Sequence, residues 1–196
     1  MSDRLPECSR RKYWQKLCPP LYQETDPARL PAQAAGYLPK ILNHPWNPRG
    51  IILNGPTRTG KSRLMWLLMG RMVLDEGIKL LAYDGPGWAM SVAKNMCDVS
   101  VSELWLDRVC KVDVLFIDDL FKGNLSDTQE RALYAIWERR PAGKLPTYLT
   151  MNATGTMIRA RMSDNAKADL FDPIMARMGE FSVIYKFDQP KEKAAI

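Results

Sequence analysis

Gly55-Pro56-Thr57-Arg58-Thr59-Gly60-Lys61-Ser62 has the residue types and spacing of a polyphosphate cradle, G-x-x-x-x-G-K-[ST]. A phosphate chain needs a concave run of backbone N–H groups, and Gly55 and Gly60 let the chain curl closely enough to supply one. A helix beginning near Lys61 adds the positive end of its dipole. Lys61 is expected to reach the β- and γ-phosphates of ATP. The Ser62 hydroxyl is expected to ligate Mg²⁺, a hard cation that takes oxygen.

A second chemical pair lies about 55 residues further on, at the end of Val112-Asp113-Val114-Leu115-Phe116-Ile117-Asp118-Asp119. The apolar, β-branched run reads as a central parallel strand buried on both faces. In a sheet of this kind the carboxyl edge of the strands faces the nucleotide. Asp118 is therefore expected to hold Mg²⁺, directly or through water, and Asp119 to orient and deprotonate an attacking water.

These groups need elements to position them. Ile51 to Asn54 is a short apolar strand leading into the loop, and Leu64, Leu67, Leu68 and Met72 mark one face of a following helix that Gly77 can end. Ile78 to Tyr83 reads as a second strand, closed by a turn at Asp84-Gly85-Pro86-Gly87. Helices are expected over Trp88 to Met96 and Val101 to Cys110. Ser126-x-x-Gln129 is a capping box that opens a helix striped by Leu133, Ile136 and Trp137 and stopped at Pro141. Thr147 to Asn152 is a further strand, 156–162 and 165–179 look helical, and Phe181 to Phe187 is a last strand.

Length and composition bound the rest. A chain of 196 residues with 46% hydrophobic content holds one globular core, and no apolar run is long enough for a membrane span. A cytoplasmic protein without membrane contact is expected. Cys8, Cys18, Cys97 and Cys110 lack metal-like spacing and read as free thiols; Cys8 and Cys18 alone would not close a tetrahedral zinc site. Of the net charge of +6, the first 49 residues carry Arg4, Arg10, Arg11, Lys12, Lys16, Arg29, Lys40 and Arg49 against four acids. Residues 1–44 thus read as a basic N-terminal arm, of which 1–16 suit a short helix ended by Cys18-Pro19-Pro20, and a proline-rich connector with at most one short helix, around Pro31 to Leu42. With Tyr13 and Trp14 interleaved, the arm suits nucleic acid or an acidic protein partner.

Taken together, GPTRTGKS, VLFIDDL, PTYLTMN and DPIMARMGEFSVIYKF, in this order over residues 45–188, resemble the DnaC and IstB branch of the AAA+ ATPases, which comprises bacterial and phage helicase loaders and transposition helpers. The Asp118-Asp119 pair, where most AAA+ proteins have Asp-Glu, is typical of that branch. The resemblance implies a three-layer αβα P-loop fold around a five-stranded parallel sheet in the order 5-1-4-3-2, with no helical lid domain and a flexible tail over 189–196. It also implies that Thr150 to Asn152 is a sensor stretch in which Asn152 places the lytic water. Arg177 matches an arginine finger that reaches the γ-phosphate bound to a neighbouring subunit.

On this basis the sequence is expected to encode a slow, assembly-coupled ATPase of phage or mobile-element type. Expected partners are a replicative helicase, single-stranded DNA and further copies of the chain. A transposition ATPase of the IstB kind, forming filaments on duplex DNA, would share every motif. A stand-alone kinase would need an acceptor site and an Arg-rich lid, which the sequence does not offer. A module that has lost hydrolysis would not be expected to keep Lys61, Ser62, Asp118, Asp119 and Asn152 together.

Overall fold

The computed structural model describes residues 4–45, 48–162 and 169–188. The strands are β1 (Gly50–Asn54), β2 (Leu80–Asp84), β3 (Val114–Leu120), β4 (Thr147–Met151) and β5 (Ser182–Lys186), paired in the order β2-β3-β4-β1-β5 and parallel throughout. Read from the other edge, this is the order the resemblance implied. Parallel neighbours require crossovers, which here are helical: α4 (Lys61–Leu74) follows β1, α5 (Gly85–Asn95) and α6 (Val99–Lys111) follow β2, and α7 (Asp127–Ala142) follows β3. Among the described residues, helices α8 (Gly155–Arg161) and α9 (Phe171–Glu180) lie between β4 and β5.

Alternation along the strands sorts the core into two. Val114 and Phe116 of β3, with Ile51 and Leu53 of β1, face α4. Leu115 and Ile117, with Ile52 and Leu149, face α5, α6 and α7. With helices on both faces of the sheet the fold is a three-layer αβα sandwich, and among the described residues no helical lid follows β5.

Fully buried Arg140 pins the strands that carry the site. It donates from Nε to Thr147 Oγ1 at 3.0 Å, and from Nη1 to the carbonyls of Val109 and Val112 at 2.8 and 2.9 Å. Nη2 completes the set with the carbonyls of Asp113 and Pro146. One side chain thereby ties the end of α6 to the starts of β3 and β4, satisfying carbonyls that burial would otherwise leave orphaned. Burial pushes its pKa down to about 10, so it stays charged at neutral pH.

Several expected boundaries move. Asp84 is the N-cap of α5, its carboxylate accepting from Gly87 N at 2.7 Å, so the expected turn is the first helical turn, where a proline lacks nothing it would need. Pro141 does not stop α7: it sits within the last turn, where the missing N–H removes only one bond. The Ser126–Gln129 capping box is formed as expected. Of the helix expected over 165–179, residues 171–180 are seen; 163–168 and the tail 189–196 lie outside the described residues.

In the N-terminal segment the helices expected within 1–16 and around Pro31 to Leu42 are present, and what differs is that the segment joins the core. It folds as α1 (Glu7–Leu17), α2 (Pro20–Gln23), a 3₁₀ turn (Pro27–Arg29) and α3 (Ala32–Leu42), which pack on α4. Helix α4 is apolar nearly all round, with Met65, Trp66 and Met69 buried beside Leu64 and Leu68, and such a helix needs cover on its outer side. Trp14 supplies it, meeting Trp66 edge to face at 5.8 Å between centroids. Arg10 donates to the carbonyls of Leu74 and Asp75 at 3.1 and 2.7 Å, capping the negative end of α4. Tyr13 bonds the backbone of Leu80. Trp14 and Tyr13 are therefore core and anchor residues rather than a stacking surface, and of the basic set only Arg11, Lys12 and Lys16 point to solvent from α1. All four cysteines are unpaired, Cys8 exposed and Cys18 buried.

Candidate nucleotide-binding site

The loop between β1 and α4 bends where its glycines allow. Gly55 has φ 149°, and a Cβ there would lie 2.3 Å from the carbonyl oxygen of Phe187; Gly60 caps α4 at φ 87°. The loop forms one wall of a cleft of about 550 Å³ at the carboxyl edge of the sheet. Thr57 to Ser62 line it, with Asp118 and Asp119 from the end of β3 and Thr150 from β4. Gly55 and Pro56 contribute through their carbonyls, which accept from Lys61 Nζ at 2.8 and 2.6 Å. Lys61 is buried, and desolvation lowers its pKa against the opposing pull of Asp119 and Asp118.

The three motif-bearing elements meet at the Asp118 carboxylate. Its Oδ1 accepts from Ser62 Oγ at 2.8 Å and from Thr150 Oγ1 at 2.5 Å, while Thr150 Oγ1 in turn accepts from Asp119 N at 2.8 Å. Asp119 sits at φ 59°, a conformation aspartate tolerates better than most residues, and its carboxylate pairs with Lys122 at 3.2 Å. The bend interrupts pairing with β4 between Ile117 and Leu120, while Asp118 keeps its register with Asp84 of β2, and both carboxyl-end acids line the cleft.

Ser62 Oγ and Asp118 Oδ1, adjacent hard oxygens on the cleft wall, fit Mg²⁺, which takes one or two protein ligands and leaves its other positions to phosphate and water. Burial is the main cause that raises the Asp118 pKa, and Asp119 adds to it; the Thr150 and Ser62 hydrogen bonds oppose both. The native state therefore keeps a proton here that the unfolded chain has already released, so stability falls as pH rises from the ordinary carboxylate value to the raised native one. Asp118→Asn keeps an oxygen to accept from Ser62 and Thr150 but discards the costly charge. It is expected to raise the melting temperature by a few degrees at neutral pH and flatten that pH dependence. The same variant should weaken magnesium-dependent nucleotide binding. Thermal melts across the carboxylate range, paired with nucleotide titrations, check both halves.

Thr150 is the residue that sequence reasoning passed over in favour of Asn152. Asn152 lies one position beyond β4 and is not among the residues lining the cleft; Thr150, 1% exposed, is. A hydroxyl near the carboxyl end of β4, between Leu149 and Met151, was the available signal. Tyr22, Arg29 and Pro31 of the N-terminal segment also line the cleft, and Tyr22 stacks on Trp66 at 6.0 Å. No local pattern marked them, since only the packing of α1 to α3 on α4 brings them there. Arg177 lies away from this cleft on the surface, its Nε donating to Glu138 Oε1 at 2.9 Å and its Nη1 lying 3.5 Å from Glu180 Oε2.

Strand order, P-loop and paired acids at the sheet edge together define a three-layer αβα P-loop fold. It is similar to that of DnaI, with a TM-score of 0.67 and 18% identity over 90% of this chain and 97% of that one. It is also similar to the DnaC helicase loader, with a TM-score of 0.59 and 17% identity over 89% and 98% of the two chains. AMPPCP-bound DnaA from Aquifex aeolicus matches with a TM-score of 0.60 at 14% identity; the chain covers 45% of that protein's length and 78% of its own. At these identities the likeness is one of fold. No protein-family model matches the sequence, and no curated protein matches it significantly. No helix among the described residues is long and apolar enough to cross a membrane.

Proposed function

We propose that this protein is an ATP-dependent switch in DNA replication, which binds ATP in the cleft, assembles with copies of itself, engages single-stranded DNA and loads a replicative helicase. The observation that carries the reading is the hydrogen-bonded cluster of Ser62, Asp118 and Thr150, which gathers the P-loop, β3 and β4 around one carboxylate. The likeness in fold to DnaI and to the DnaC helicase loader supports the replication half.

In this reading the P-loop amides and Lys61 hold the phosphates, and Ser62 and Asp118 hold magnesium, which neutralises charge on the phosphate oxygens. Asp119 accepts a proton from a water that attacks the γ-phosphorus as the bond to the bridging oxygen of ADP breaks. Thr150 donates to Asp118 Oδ1 and accepts from the Asp119 backbone N–H, holding the first carboxylate and the backbone of the second. Asn152 places the water, and Arg177 completes the site of a neighbouring subunit. Hydrolysis is slow because ATP serves conformation, and its turnover releases the partner.

The test is co-purification of the tagged full chain with a replicative helicase from the same source, with ATP and with ADP, beside binding to labelled single- and double-stranded oligonucleotides. Helicase capture that depends on ATP, with single-strand preference, is the expected result. Filaments on duplex DNA without helicase capture would overturn it in favour of a transposition ATPase.

A further inference from the structure

The fourth residue of the P-loop, Arg58, has φ 63°. A Cβ makes this left-handed conformation costly, glycine adopts it freely, and arginine has no local hydrogen bond of the Asn or Asp kind to offset it. Lys144 shares such a φ, but it lies in the turn after α7 and its N–H bonds Pro141 O. Arg58 is on the cleft wall, exposed, and makes no hydrogen bond or ion pair among the described residues.

Of the other cations lining the cleft, Lys61 holds the carbonyls of Gly55 and Pro56, Lys122 pairs with Asp119, Arg29 lies 3.7 Å from Asp26, and Arg63 stands in the first turn of α4 on ordinary helical backbone. Arg58 thus combines a backbone position suited to glycine, a long cationic side chain with no structural task, and a place on the loop that the phosphates must approach. A guanidinium presents a planar fork of donors that matches phosphate oxygens two at a time, which an ammonium does not.

We infer that the Arg58 guanidinium is a phosphate ligand supplied in cis, which favours a nucleoside triphosphate over a diphosphate; this rests on the ATP-binding reading above. The added phosphate brings further negative charge into the same cleft, so a cation there stabilises the triphosphate more. Nucleotide exchange would then be read within each subunit by Arg58, separately from any contact that a neighbour contributes.

Arg58→Gly is the informative variant because glycine suits φ 63° better than arginine does, so a loss of binding cannot be assigned to backbone distortion. Affinities for fluorescent ATP and ADP analogues are measured on the wild type, Arg58→Gly, Arg58→Lys and Lys61→Ala, with a thermal melt of each. Arg58→Gly is expected to melt no lower than the wild type, to lose about tenfold in ATP affinity, and to lose less for ADP, the size of one charge-assisted contact. Arg58→Lys, which keeps the charge without the fork, should fall between. If the wild type binds ATP and Lys61→Ala does not, yet Arg58→Gly keeps the wild-type affinities and ATP-to-ADP ratio, the inference fails and the ATP reading stands. If the wild type binds neither nucleotide, both fail.

Discussion

Lys61→Ala is expected to lose about 100-fold in ATP affinity, the loss for two charge-assisted hydrogen bonds, while Asp119→Asn binds ATP nearly as the wild type does and hydrolyses it about 10² to 10⁴-fold more slowly. The asymmetry follows from what each side chain holds. Lys61 Nζ meets the carbonyls of Gly55 and Pro56 and the hydroxyl of Thr59, so its removal takes a cation from the phosphates and also releases the loop that shapes the cradle. Asp119 is different. Its backbone N–H bonds Thr150, and asparagine is at home at φ 59°, so Asp119→Asn leaves the bend in place and removes the base together with its surface pairing to Lys122. Nucleotide titration separates the two variants, and single-turnover phosphate release measures the second. Equal affinity loss in both would show that the division of binding from chemistry is wrongly assigned.

The layout of the cleft was legible because it rests on local patterns. A phosphate loop, an apolar strand ending in two acids and a capping box each announce themselves within a few residues, and the alternation of Val114 and Phe116 against Leu115 and Ile117 gave the central strand its two buried faces. What escaped was set by packing between distant segments. A basic N-terminus reads as a solvated arm until the outer side of α4 is seen to need cover; Met65, Trp66 and Met69 carried that signal, because a helix apolar on all sides cannot lie on a surface. Arg140 gave none, since a charged residue in a helix reads as exposed and its carbonyl partners come from four separate chain positions. Thr150 was misjudged for a related reason: its partner, the Asp118 carboxylate, lies 32 residues away in sequence and meets it only because β3 and β4 are neighbours in the sheet.

Arg177→Ala is expected to leave ATP binding to the isolated subunit unchanged while lowering ATP-dependent assembly and turnover together. The side chain sits on α9 outside its own cleft, so a γ-phosphate that it meets is one bound to another copy. A cation arriving from a neighbour stabilises the charge spread over the transferring phosphoryl group, and such fingers contribute about 10³ to 10⁵ in rate among P-loop GTPases, less being expected of a slow switch. Glu138 meets Arg177 through Nε and Nη2, and Glu180 lies near Nη1, so the guanidinium is held by two surface carboxylates. Exposed pairs of this kind are weak, so a neighbour's phosphates should win the arginine once subunits meet. Glu138→Gln should then assemble at slightly lower protein concentration without changing turnover in the assembled state. Mixing is decisive: Arg177→Ala offers an intact P-loop, Lys61→Ala an intact arginine, and the two together should recover part of the activity each lacks. If they demonstrably co-assemble and remain inactive, or if wild-type turnover per subunit is the same far below the association midpoint as above it, Arg177 does not act on a neighbour.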